Sequence, residues 1–206
     1  MANDAAMLRG LIAGIAAVLA ALALPARADV LVARELQPAQ MTHSGSITAL
    51  VGGETLAAGD RVRTADAGHV ELRLPRGATL KLAPDSAVEL HSTDEAQGIA
   101  RLKLKEGAAE IGAGDADLRL NTDTLRLRVK KGAVWIEQAA AGETLCLLQG
   151  RVEFSAGDAA PETLQTPGVC LLFTNGQRLL LTPDADTLAR KRGRTAFPGL
   201  FSSASP

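Results

Sequence analysis

An all-β fold is predicted for this chain by three observations. From Val62 to Leu90, apolar and polar residues alternate between turn signals set about nine residues apart. A Gly-centred pattern recurs three times, in Glu106-Gly107-Ala108-Ala109-Glu110-Ile111, Lys131-Gly132-Ala133-Val134-Trp135-Ile136 and Gln149-Gly150-Arg151-Val152-Glu153-Phe154. After Asp29, no window of roughly a dozen residues shows a 3.6-residue period before the C-terminal end. The predicted architecture is a single domain of many short antiparallel strands wrapped into a β-sandwich or solenoid-like β-roll.

The first 28 residues stand apart from this domain. Leu8 to Leu24 is an Ala/Leu-rich run with Arg9 near its start, followed by Ala26-Arg27-Ala28, an A-x-A cleavage pattern. A signal peptide spanning 1–28 and cleaved between Ala28 and Asp29 is expected. The uncharged run from Gly10 to Leu24 is shorter than the ~20 residues a spanning helix needs, so an uncleaved anchor is the second choice and no stable membrane span is expected after cleavage. The protein is then expected in the periplasm.

Strands are expected at Ile47–Val51, Arg61–Thr64, Val70–Leu74, Thr79–Leu82, Ala87–Leu90, Arg101–Lys105, Ala108–Ile111, Leu118–Asn121, Leu125–Lys130, Ala133–Gln138, Thr144–Leu148, Val152–Ser155, Val169–Thr174 and Arg178–Leu181. Within them Val70, Leu72, Leu74, Leu80 and Leu82 fall on one face, and Glu71, Arg73 and Lys81 on the other. Arg76-Gly77 and Pro84-Asp85 punctuate these runs. In the repeat, Gly107, Gly132 and Gly150 supply the positive φ of a tight corner, and the apolar residues two apart after each point into one core. Ordinary hairpin turns would place glycine similarly. The domain is expected over 29–181, with a polar and basic tail over 182–206. Pro183 and Asp184 open a short helix ending near Gly193. The cluster Arg190, Lys191, Arg192 and Arg194 reads either as the solvated last turn of that helix or as a contact for an acidic partner or lipid headgroups. Phe197, Leu200 and Phe201 are placed to tuck the tail onto the domain.

Composition excludes several functions. The chain has 22 basic and 23 acidic residues. Without Arg9, Arg27 and Asp4 these become 20 and 22, a balance that offers no net field for nucleic acid. There is no tyrosine, and Trp135, Phe154, Phe173, Phe197 and Phe201 are the only other aromatics, too few for a stacking platform. Cys146 and Cys170, in an exported chain, are either disulfide-bonded or a pair of buried thiols acting as small hydrophobes.

No catalytic constellation is found, and no cofactor or metal is expected. His43, His69 and His91 lie outside any metal-ligand spacing. His69 and His91 are expected on solvated strand edges, with Asp94 and Glu95 near His91. Ser44 lacks a G-x-S-x-G elbow. Gly112-Ala113-Gly114-Asp115-Ala116-Asp117 lacks the further ligands of a calcium loop.

The ordered series Gly59-Asp60-Arg61-Val62-Arg63-Thr64, then Gly68-His69-Val70-Glu71-Leu72, then Gly77 through Pro84, Ser86 and Leu90 resembles the FecR domain family. Arg101 to Gly107 and Leu118 to Thr122 fit its later elements, so the resemblance runs roughly from Ile47 to Phe154. Arg76 stands where the family usually has an acidic residue, and Lys130-Lys131-Gly132 where it often has a Val-x-Gly-Thr element. In the family's iron regulators a cytoplasmic segment meets a sigma factor, one helix crosses the inner membrane, and the β-domain senses an outer-membrane receptor. This chain looks like a stand-alone periplasmic member. The resemblance implies a non-catalytic protein that binds an envelope protein, an outer-membrane receptor or inner-membrane regulator, through an exposed strand edge. The alternative is an envelope module that binds peptidoglycan or exopolysaccharide.

Overall fold

The computed structural model describes residues 30–197. The cleavage residues Ala26, Ala28 and Asp29, and Leu200 and Phe201 of the tail, lie outside the described residues. Fifteen strands form one hydrogen-bonded sheet: β1 (Val30–Leu36), β2 (Ala39–His43), β3 (Ser46–Ala49), β4 (Thr55–Leu56), β5 (Arg61–Thr64), β6 (His69–Arg73), β7 (Thr79–Leu82), β8 (Ala87–Asp94), β9 (Ile99–Gly112), β10 (Asp117–Asn121), β11 (Leu125–Ala139), β12 (Gly142–Ala156), β13 (Glu162–Leu164), β14 (Cys170–Thr174) and β15 (Gln177–Leu181). One helix, α1 (Ala185–Gly193), follows.

The sheet folds back on itself into two layers. The first layer runs β15-β14-β12-β11-β9-β7-β6-β1-β4, and the second β13-β12-β11-β10-β9-β8-β5-β2-β3. Strands β9, β11 and β12 belong to both. They bend at Gly107, Gly132 and Gly150, all at positive φ. Six segments expected as separate strands are therefore three strands of 14 to 15 residues, and the repeat marks bends rather than hairpin turns. Beyond each bend Ala109 and Ile111, Val134 and Ile136, and Val152 and Phe154 enter one core.

The all-β, two-layered wrap agrees with the sequence reading, with two corrections. Pairing is mixed, because β10 runs parallel to β9, with Leu118 opposite Ala100. The chain leaves β9 in the first layer and wraps back to the second, so β10 starts beside the beginning of β9. Strands β1, β2, β4 and β13 also have no counterpart among the expected segments.

The face assignment holds. Val70, Leu72, Leu74, Leu80 and Leu82 are buried, whereas Arg73 is exposed and Glu71 and Lys81 are half-buried. Leu72→Ala or Leu82→Ala is expected to lower unfolding free energy by about 2 to 5 kcal/mol, and charge changes at Glu71 or Arg73 by less than about 0.5 kcal/mol. Urea denaturation checks this; equal effects at both kinds of site would overturn the face assignment.

The near-neutral total conceals segregated charge. In the second layer Leu102, Leu104, Leu118, Leu120, Leu125, Leu127, Val129, Val152 and Phe154 point inward. Alternation turns thirteen intervening positions of β9 to β12 outward. On β9 these are Ile99, Arg101, Lys103 and Lys105, and on β10 Asp117, Arg119 and Asn121. On β11 they are Arg126, Arg128 and Lys130, and on β12 Arg151, Glu153 and Ser155. Eight of the thirteen are cationic and two acidic.

The first layer's outer face is mixed in sign, with Glu110 opposite Trp135 on one side and Lys81 on the other, and Glu137 opposite Ala108. Helix α1 covers it. Asp184 caps the helix by accepting the Thr187 N–H at 2.6 Å, a bond that holds its carboxyl below the usual aspartate range. Leu188 packs against Trp135, Cys146, Cys170, Ala83 and Ala108. Lys191 lies 4.3 Å from the Trp135 ring centroid and 3.6 Å from Glu137; Arg192 reaches Glu110 at 3.6 Å, and Arg194 hydrogen-bonds Glu137. Three of the four clustered cations thus reach carboxylates of the sheet, Arg192 and Arg194 while still exposed to solvent; Arg190 bonds Thr187 of its own helix.

Candidate functional site

The motif residues converge on buried architecture. Gly59 takes positive φ and its N–H donates to Leu90 O at 2.7 Å. The carboxylate of Asp60, 3 % exposed, accepts the Ala57 N–H at 2.7 Å and meets His43 Nδ1 at 2.6 Å. Thr64 Oγ1 donates to Ala83 O at 2.6 Å and accepts the Ser86 N–H at 3.0 Å. Ser86 Oγ accepts the Ala108 N–H at 2.9 Å, across the turn that Pro84 opens. This chain of bonds ties β5, the β7–β8 turn and the β9 bend together, supplying partners that buried polar groups require. A Cβ on Gly107 would fall against Ser86, so that glycine is part of the same junction. Gly77, at positive φ, ends a 3-10 turn over Pro75–Gly77, and Arg76 in place of an acid donates to Ala96 O at 2.5 Å. A second junction lies two strands from Gly107 in the same cross-strand row, where buried Glu143 accepts from Thr122 Oγ1 at 2.5 Å and the Thr124 N–H at 3.2 Å.

The chemistry-bearing side chains are engaged elsewhere. His69 is buried, 5.8 Å between ring centroids from Phe197, which corrects its expected place on a solvated edge. Exposed His91 approaches Glu89 at 3.5 Å, rather than Asp94 or Glu95. Asp117 is held by Arg128 through bonds of 2.6 to 3.1 Å and by Arg119 at 3.5 Å. The Arg128 hydrogen bonds, then the charges of Arg128 and Arg119, keep its carboxyl below the usual aspartate range against the opposing effect of burial. Among the described residues no group of three His, Cys, Asp or Glu side chains could hold a metal ion. Cys146 and Cys170 face each other across β12 and β14 with Cα atoms 4.0 Å apart, joined by a disulfide.

Strand edges remain open at β3, β4, β13 and β15, and beside β15 there is a cleft. Strand β15 pairs only with β14, through a hairpin closed by Asn175-Gly176, both at positive φ. All five β15 residues are exposed, including Leu179, Leu180 and Leu181 at 45 %, 67 % and 39 %. In such a hairpin the closing pair Thr174–Gln177 exchanges both bonds, so alternation leaves the N–H groups of Arg178 and Leu180 facing the free edge. Beside β15, where the layers part at β13, lies a cleft of about 830 Å³. Phe154 and Phe173 meet there edge-to-face at 6.0 Å, and Arg178 of β15 bridges to Glu162 of β13 at 2.6 Å. Both carboxylates lining the cleft, Glu143 and Glu162, are thus already bonded. The sequence signal for this edge was Asn-Gly between two apolar runs, with no strand pattern after the second.

The FecR protein family model matches residues 60–167. The chain belongs to the FecR family. The match begins at Asp60 and takes in the Thr64–Ser86–Gly107 junction and all three bends. Two crystal structures of a proposed anti-sigma factor from Parabacteroides distasonis, at 2.50 and 1.65 Å resolution, share the fold with a TM-score of 0.53 each, at 18 % and 17 % identity. In each case 63 % of this chain is covered, and it spans only 62 % of the relative's chain. No curated protein sequence matches. In this FecR-family chain no helix among the described residues is long and apolar enough to cross a membrane.

Proposed function

We propose that this chain is a non-catalytic FecR-family protein of the periplasm that serves signalling or regulation by binding another envelope protein along the free edge of β15. The exported unit begins at Asp29, after cleavage behind Ala28. The observation that carries the reading is β15 itself: a five-residue strand exposed throughout, with three leucines and outward main-chain donors. An edge of this kind is a template for a partner strand, whose main chain pairs while alternate side chains are read. The regulatory sense is supported by family membership and by the description of the solved relatives as proposed anti-sigma factors. The partner class is an outer-membrane receptor or an inner-membrane regulator.

Leu180→Pro removes one outward N–H without breaking the β14 ladder. Crosslinking pull-downs from envelope extracts are expected to recover one envelope protein with the parent chain and to lose it with Leu180→Pro at unchanged circular dichroism. Equal recovery by both forms would overturn edge pairing; enrichment of wall polymer by both would favour the envelope-module alternative.

A further inference from the structure

The outer face of β9 to β12 in the second layer is a feature the edge-binding reading leaves unused. Across β9 to β12 eight of thirteen outward positions are cationic, and half-buried Ile99, at the start of β9, is the one apolar residue among them. Register places Arg101 directly opposite Arg119, and Arg119 opposite Arg128, three like charges in a row across neighbouring strands. Lys131 stands opposite Arg151 in the same way. Like charges directly opposite each other destabilise a sheet unless anions offset them. The chain supplies few: Asp117 takes Arg128 and Arg119, Glu153 lies 3.8 Å from Arg128, Asp123 3.1 Å from Lys103 and Asp158 3.9 Å from Arg126. Among the described residues Lys105, Lys130 and Arg151 have no carboxylate at ion-pair distance. Arg119 Nε is enclosed without an acceptor.

The first layer shows what a covered face of this protein looks like. There Glu110 and Glu137 receive cations from α1, and Trp135 with Leu188 supplies an apolar contact beneath. The β9 to β12 face has charge and, apart from half-buried Ile99 at its margin, no apolar side chain. Protein interfaces of standard size are built around an apolar, often aromatic core, which this face lacks. It is also four strands wide and about 15 Å across, and neither the cleft beside β15 nor the pocket under the helix opens on it. A broad cationic surface with nothing to insert matches a plane of fixed negative charges.

We infer that the outer face of β9 to β12 docks the protein peripherally on an anionic phospholipid surface, through headgroup phosphates. The lipid-headgroup role weighed for the helix cluster thus belongs to the opposite side of the molecule. The inference is independent of the β15 edge and leaves it free for a partner.

Vesicle co-sedimentation of the full chain tests it, comparing phosphatidylcholine vesicles with vesicles carrying about one-third phosphatidylglycerol. The apolar run Leu8 to Leu24 is present in every arm, so the readout is the ratio of binding to the two vesicle types. The ratio is expected to be large at low salt and to collapse near 0.5 M NaCl, where the Debye length is only about 4 Å. The variant Lys105→Glu/Lys130→Glu/Arg151→Glu is expected to lower it by roughly a hundredfold, about fivefold per cation lost. Arg34→Glu/Arg73→Glu/Arg190→Glu, the same charge change on the first-layer side, is expected to leave it near the parent value. A salt-insensitive ratio in the parent chain, a ratio near one, or equal losses in the two variants would each overturn the inference. Retention on immobilised acidic polysaccharide without a vesicle preference would overturn the lipid assignment.

Discussion

Replacing Gly132 or Gly150 by valine is expected to cost about 3 to 5 kcal/mol of unfolding free energy. The two glycines face each other in the β11–β12 register at the bend where both strands pass from one layer to the other. Their φ values of +133° and +73° are ones a side-chain-bearing residue rarely adopts. Space forbids substitution as firmly as conformation does. A Cβ on Gly132 would fall against the Gln149 carbonyl, and one on Gly150 against the Lys131 carbonyl, both main-chain groups that cannot swing aside. Relieving either contact would separate the strands and unbend the sandwich. Gly45 is the control: its φ is +85°, but nothing lies within 4 Å of a built Cβ. Gly45→Ala is expected to cost only the conformational part, about 1 kcal/mol. Guanidinium denaturation of the three variants separates the contributions, and equal costs at Gly45 and Gly132 would show that backbone approach is not what the bend requires.

These bends also show what the sequence could and could not disclose. The Gly-x-apolar repeat identified the corners and the residues that enter the core after them, because positive φ and period-two alternation are local properties. Whether the chain turns back at each glycine or continues through a bend depends on which strand lies alongside, a non-local fact. Strands β4 and β13, of two and three residues, are too short to show any period, and β1 and β2 meet at Gln37-Pro38, where alternation stops. The family motif was legible, yet Asp60, Thr64 and Ser86 prove to be junction residues that hold loops, so recognising it identified the fold more than the site. The basic face was hidden for a related reason. Its cations are spread over four strands between Arg101 and Arg151, and the total charge of −1 averages them against acids on other surfaces. Only register brings Arg101, Arg119 and Arg128 into one row.

Trp135→Ala is expected to destabilise the protein by about 3 to 5 kcal/mol and to release α1 from the sheet. The side chain is fully buried on the outer face of the first layer, beneath Leu188 and Lys191 and beside the Cys146–Cys170 bridge. Removing it deletes both the apolar floor under the helix and the π face that Lys191 approaches. The ion pairs of Lys191, Arg192 and Arg194 with Glu137 and Glu110 would remain available, but partly exposed pairs contribute at most about 1 kcal/mol each and would not hold a nine-residue helix that is marginal alone. Trp135→Phe discriminates packing from polarity. The indole Nε1 is enclosed with no acceptor, so phenylalanine forfeits no hydrogen bond and is expected to lose only about 1 to 2 kcal/mol through reduced volume. Amide hydrogen exchange across Leu188 to Arg194 should accelerate strongly in Trp135→Ala and little in Trp135→Phe, while the β9 to β11 core stays protected. Unchanged exchange in α1 after Trp135→Ala would mean that the charge clamp alone fixes the helix, and the tail would then be sensitive to salt rather than to the apolar contact.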